Sequence, residues 1–159
     1  PASFFTDTTE EDIQAAATDQ GFSDCVINED GSVTYTMTKS VYNEVLEDLK
    51  AALDESIEGM VNGADAVASF QKIEYNDDLS EVDVYVDGET FSSLDALYAI
   101  SFYMLGAYYQ AFSGVPADEV DTVVEFIDQD SNEVLQSSSY QQMLSSAAAS
   151  SEAGSSAAN

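Results

Sequence analysis

The sequence predicts an α+β fold, a mainly antiparallel sheet built from three β-hairpins that alternate with helices packed on it. Three observations predict it. Runs of β-branched and aromatic residues come in pairs around turn-forming residues. Segments with helical periodicity lie between the pairs. The order hairpin-then-helix recurs at roughly fifty-residue intervals, without similarity between units at the level of residues.

The first element is a short helix in "TTEEDIQAAATDQG". Thr8 or Thr9 can cap it, Glu10, Glu11 and Asp12 suit its positive end, and Gly21 ends it. Ile13, Ala16 and Ala17 form a narrow apolar face. A hairpin follows in "FSDCVINEDGSVTYTMT", where Val33, Tyr35 and Met37 alternate with Thr34, Thr36 and Thr38, and Asp30-Gly31 supplies the turn.

The next segment, residues 39–63, is the clearest helix. Val45, Leu46, Leu49, Leu53, Ile57 and Met60 fall on one stripe, and Glu44, Glu47, Asp48, Asp54, Glu55 and Glu58 sit mostly opposite. Thr38 is the expected N-cap and Asn62-Gly63 the stop. The second hairpin occupies "SFQKIEYNDDLSEVDVYVDG". Val82, Val84 and Val86 point one way, and Glu81, Asp83, Tyr85 and Asp87 the other, with Asn76-Asp77-Asp78 as turn.

Residues 93–115, "SLDALYAISFYMLGAYYQAFSGV", carry one charge, Asp95. The length suits a membrane span. However, Tyr98, Tyr103, Tyr108 and Tyr109, with Ser101 and Gln110, are spread through the segment and not gathered at two interfaces. No Lys or Arg flanks it. A partner-binding face is a second alternative. A central helix over about 92–113, apolar on all sides because it is touched on several, is the favoured expectation. A third hairpin follows in "EVDTVVEFIDQDSNEVLQ", turning around residues 129–132, and "SYQQMLSS" is read as a last helical turn or two. Residues 1–144 are thus expected as one domain, and the Ser/Ala-rich residues 145–159 as a flexible tail.

Charge narrows the function classes. The 159 residues hold 31 Asp and Glu against three basic residues, all Lys, and no His, for a net charge of −28. Nucleic-acid binding needs cations to neutralise phosphates, and an anionic bilayer repels such a chain. Cations, basic surfaces and neutral ligands are the favoured partners. Apolar residues make up 45% of the chain, a composition that folds despite the acidity. One cysteine, Cys25, forbids an intrachain disulfide and is read as a core residue. A salt-adapted cytoplasmic protein would also be acidic, but such proteins usually reduce large apolar residues and keep Arg, and neither holds here. The chain opens "PASFFTD" without Met, which reads as either a trimmed sequence or a mature chain, with any leader already removed.

Catalytic vocabulary is sparse. Without His, the commonest general base and metal ligand is missing. Ser69-Phe70-Gln71-Lys72 matches S-x-x-K, but falls on a strand pattern where the chemistry needs a helical turn, and its companion motifs are absent. Two carboxylates alone can hydrolyse glycosides, yet in so acidic a chain a suitable pair is no sign of activity. "DQDSNE" places Asp128, Asp130 and Asn132 at the spacing of the first ligands of a calcium loop. Glu133 stands where that loop has Gly, and Ser139 where it has the bidentate Glu. A polar hairpin turn is the plainer reading, with Asp128, Asp130 and Asn132 as weak candidates for calcium. No other cofactor is expected.

The stretches "NEDGSVTYTMTKSVYNEVLEDLKAALDES", "SFQKIEYNDDLSEVDVYVDG" and "SLDALYAISFYMLGAYYQAFSGV" together resemble an uncharacterised family of extracytoplasmic lipoproteins from gut-dwelling Gram-positive bacteria. The resemblance covers roughly residues 4–143. In that family a signal peptide with a lipobox Cys and a short polar spacer precede the domain, and neither is part of this sequence. The resemblance carries no catalytic motif and transfers no functional residue. It implies a place outside the membrane, anchored at the cell surface or secreted, and no catalysis. The expected function is an acidic binding or structural module with an extracellular or cell-surface partner, attached to membrane only through a lipid anchor. The alternatives are a calcium-responsive surface domain and a carboxylate-based hydrolase.

Overall fold

The computed structural model describes residues 4–5, 8–64 and 66–155. The class is α+β, with four helices and six strands among the described residues. The chain divides into two compact units, Pro1–Lys50 and Ala51–Asn159. The single domain expected for residues 1–144 takes in the first and most of the second.

The first unit begins with α1, Glu10–Asp19. Thr9 is its N-cap, its hydroxyl accepting the Asp12 N–H at 3.2 Å. The helix closes in a Schellman arrangement. Gly21, at φ +75°, donates to the Thr18 carbonyl, and Phe22 donates to that of Ala17. Ile13 and Ala17 are buried, whereas Ala16 faces out. Strands β1, Asp24–Ile27, and β2, Val33–Thr36, pair antiparallel as a two-stranded sheet, with the Phe22 ring 4.8 Å from that of Tyr35. Gly31 adopts the positive φ that the Asp-Gly turn requires.

Helix α2, Lys39–Asn62, starts where Thr38 was expected to cap it. The Thr38 hydroxyl accepts the Val41 N–H at 3.3 Å. The boundary between the units falls within this helix.

The second unit contains a four-stranded sheet in the order β3-β4-β5-β6. Its strands are Phe70–Tyr75, Glu81–Val86, Val123–Asp128 and Val134–Ser139. β3–β4 and β5–β6 are the predicted hairpins. The two hairpins join through a parallel pair, β4 with β5, because a helix connects them. The sheet therefore takes two of the three hairpins, and the first hairpin forms a sheet of its own.

That connecting helix is the uncharged segment. One 3-10 turn, Asp95–Tyr98, leads into α3, Ala99–Phe112. Fourteen helical residues span about 21 Å, short of the roughly 30 Å of a bilayer core. No helix among the described residues is long and apolar enough to cross a membrane. Ala99, Phe102, Tyr103, Gly106, Ala107 and Gln110 are buried, each three or four residues from others of the set, so that they share one helix face. They belong to a core with Val82, Val84, Val86, Val124 and Phe126. Each buried Val or Phe contributes about 1.5–3 kcal/mol.

The final helix, α4, runs Tyr140–Ser155. Residues 145–155 were expected in a flexible tail. They instead continue a helix that residues 140–144 have already begun, where each further Ala or Ser adds a hydrogen bond without the cost of nucleation. Residues 156–159 of the expected tail lie outside the described residues.

Candidate functional site

The residues of the calcium-like spacing lie in the β5–β6 turn, which binds itself. Asp128 Oδ1 accepts the N–H groups of Asp130 at 3.0 Å and Ser131 at 2.7 Å, and the Ser131 hydroxyl at 2.9 Å. These hydrogen bonds hold the Asp128 carboxyl below the usual carboxylate range. Asn132 adopts φ +56°, its N–H closing onto the Asp128 carbonyl at 2.8 Å. The spacing read as ligands is thus that of an Asx-type turn. Among the described residues, no three His, Cys, Asp or Glu side chains are gathered as a metal site.

Ser69 and Lys72 engage different carboxylates. Ser69 Oγ donates to Asp95 at 3.1 Å, and Lys72 Nζ stands 2.7 Å from Glu74. Both lie at or beside β3, not one helical turn apart. Cys25 is half-buried in β1, and burial, reinforced by Asp24, raises its thiol pKa. That moves it away from the thiolate a nucleophile needs.

Two carboxylate arrays remain. Glu74, Asp83 and Glu125 stand opposite one another across β3, β4 and β5. Asp83 Oδ1 is shut off from solvent and has no hydrogen-bond partner. Desolvation, and then Glu81, Glu125 and Glu74, push its pKa up. A shallow groove of about 490 Å³ lies on the side where β4 and β5 begin, lined by Asp78, Glu81, Glu119 and Asp121 with Val115 and Val123. Gln110 of α3 reaches this groove and ties its walls together. Its amide nitrogen donates to the carbonyls of Leu79 at 3.1 Å and Asp121 at 2.6 Å and to Thr122 Oγ1 at 3.1 Å, and its oxygen accepts the Asp121 N–H at 3.2 Å. Leu79 is held at φ +57°. A left-handed conformation costs a residue with a Cβ about 1–2 kcal/mol, which burial of the Leu79 side chain offsets.

The opposite end of the sheet carries the most unusual surface. Leu94 is 73% exposed, Leu97 59%, Ile100 48% and Tyr98 39%. Together they form an apolar ridge on the 3-10 turn and the start of α3. The ridge is held in place. The Asp95 carboxylate accepts the Ser92 N–H at 2.9 Å and the Ser92 and Ser69 hydroxyls, both at 3.1 Å. These bonds fix the residues that lead into the 3-10 turn. The Tyr98 ring stands edge-on to Phe70 at 5.6 Å, and Phe70 and Phe91 both pack on Phe126.

Sequence reasoning favoured a segment buried on all sides over about 92–113, with a partner-binding face as an alternative, and did not locate the ridge at its start. A signal was present. The small residues Ala99, Gly106 and Ala107 mark the face that approaches the sheet, which leaves Leu94, Leu97 and Ile100 off that stripe. No protein-family model, curated protein or solved structure matches the chain.

Proposed function

We propose that this chain is an extracytoplasmic, non-catalytic binding module of the cell surface or secreted space. The observation that carries the reading is the exposed 94–100 ridge. Four of the eight large apolar side chains exposed among the described residues lie together on this one fixed segment, and such clustering is the mark of an interaction site. Composition supports a non-catalytic role, because the chain offers no His. The likeness of residues 4–143 to extracytoplasmic lipoproteins supports the location.

The test is selection of a displayed random-peptide library against the purified chain and against its L94S/L97S/I100S variant. The three side chains are exposed, so the variant is expected to keep its fold by circular dichroism. Saturable ligands that bind the parent and lose the variant support the reading. Ligands that bind both alike, or a turnover activity that tracks the purified protein, contradict it.

A further inference from the structure

We infer that the 94–100 ridge docks a basic amphipathic polypeptide segment, one that lays an apolar helical stripe on Leu94, Leu97, Tyr98 and Ile100 and sets Lys or Arg against the acidic turns beside them. The inference rests on the binding reading above and adds the chemistry of the partner.

Charge selects the occupant. The ridge follows directly from the turn that holds Asp87 and exposed Glu89, whose Thr90 and Phe91 N–H groups bond the Asp87 carbonyl. This turn abuts the one carrying Asp128 and Asp130. A Cβ on Gly88 would fall 2.0 Å from Asp128 Oδ2, and the Gln129 N–H bonds the Val86 carbonyl at 2.9 Å. Four carboxylates therefore flank the apolar surface at this end of the sheet. Lys72 is the only basic residue in the unit Ala51–Asn159, and Glu74 holds it at 2.7 Å.

A second copy of the chain would bring −28 against −28 and place the same acidic turns against themselves. Anionic lipid and nucleic acid are repelled. A zwitterionic bilayer could take the leucines but gains nothing from the carboxylates. A basic amphipathic segment satisfies both halves of the surface. The ridge is also preorganised by Asp95 and the Tyr98–Phe70 contact, so docking orders little of this side of the interface.

The probe is a fluorescein-labelled fourteen-residue helix of Leu and Lys, titrated with the full chain and read by anisotropy. The comparison probes are a Ser/Lys peptide of equal charge, a Leu/Glu peptide of the same apolar stripe, and phosphatidylcholine vesicles. The Leu/Lys peptide is expected to bind saturably one to one, at least tenfold tighter than the others. L94S/L97S/I100S is expected to weaken it at least tenfold. Glu89→Gln with Asp130→Asn is expected to weaken it severalfold and to flatten its dependence on salt. Equal binding of the Ser/Lys peptide, or indifference to L94S/L97S/I100S, would reduce the effect to diffuse attraction and overturn the inference. Ridge-dependent binding of the Leu/Glu peptide or of the vesicles would overturn the basic partner while leaving a binding module. If none of the probes binds through the ridge, both readings fail.

Discussion

Replacing Gly106 with Ala tests how tightly α3 is seated on the sheet. In an exposed helix interior, Gly→Ala stabilises by about 1 kcal/mol. Here the added Cβ would fall 2.2 Å from Thr122 Oγ1, 2.8 Å from the Leu79 carbonyl oxygen and 3.0 Å from Thr122 Cγ2. An ordinary contact needs about 3.4 Å or more, so the helix must retreat by roughly an ångström or Thr122 must rotate. Either movement disturbs the 2.9 Å hydrogen bond from Thr122 to the Leu79 carbonyl and the Gln110 bonds beside it. Overpacking costs about 1–3 kcal/mol, and each weakened buried hydrogen bond about 1 kcal/mol more. After the helix-propensity gain is subtracted, Gly106→Ala is expected to destabilise by about 2–3 kcal/mol. That lowers the melting midpoint of a chain this size by about 4–12 °C. Urea unfolding followed by circular dichroism, with thermal melts in parallel, measures it. Adding Thr122→Ala should recover part of the loss, since it removes two of the three clashing atoms. A single Gly106→Ala variant as stable as the parent, or more stable, would refute the close approach.

Three ionisable side chains give further expected outcomes. Asp83 has a carboxyl pKa raised by desolvation and by Glu81, Glu125 and Glu74, so its ionised form opposes folding above its folded-state pKa; Asp83→Asn should raise the melting midpoint at pH 7, and the gain should vanish as the pH falls and the parent carboxyl becomes protonated. Tyr75 donates to Asp54 at 2.6 Å, and that bond, with burial, pushes its phenol up to about 12; burial raises Tyr103 and Tyr108 as well, so ultraviolet titration should show a late-ionising group of tyrosines that Tyr75→Phe makes smaller, and the Tyr75 stabilisation should be full below about pH 10 and lost as the pH climbs towards 12. Asp128 is held below the usual range by hydrogen bonds within its turn, so its contribution is present at neutral pH and lost as the pH falls through its folded-state pKa; Asp128→Ala should lower the midpoint at pH 7, and calcium should shift the parent's midpoint no further than sodium at equal ionic strength.

Much of the architecture was legible because local rules and tertiary demands agreed. Thr9 and Thr38 cap as their types require, and Gly21 and Gly31 take the positive φ their positions need. The alternation of Val82, Val84 and Val86 correctly gave the buried face of β4. The parallel pairing of β4 with β5 was not legible, because strand patterns report faces and not neighbours. The extent of α4 was missed because Ser/Ala composition was weighed without the helix start that precedes it. Asp128, Asp130 and Asn132 show a spacing shared by two structures, since alternating acids before a turn serve a calcium loop and an Asx turn alike. The 94–100 ridge escaped notice because hydropathy alone does not separate the apolar residues that pack from those that are displayed.

Both the architecture and the binding reading depend on one division of labour within a single apolar segment: Phe102, Tyr103, Gly106, Ala107 and Gln110 seal the core while Leu94, Leu97, Tyr98 and Ile100 are presented to solvent. Hydroxyl-radical footprinting resolved to single side chains measures that division directly. The account predicts that Leu94, Leu97 and Ile100 are labelled readily in the folded chain, while Phe102 and Tyr103 are labelled only through global unfolding. Ready labelling of Phe102 and Tyr103, or protection of Leu94, Leu97 and Ile100 equal to theirs, would contradict it.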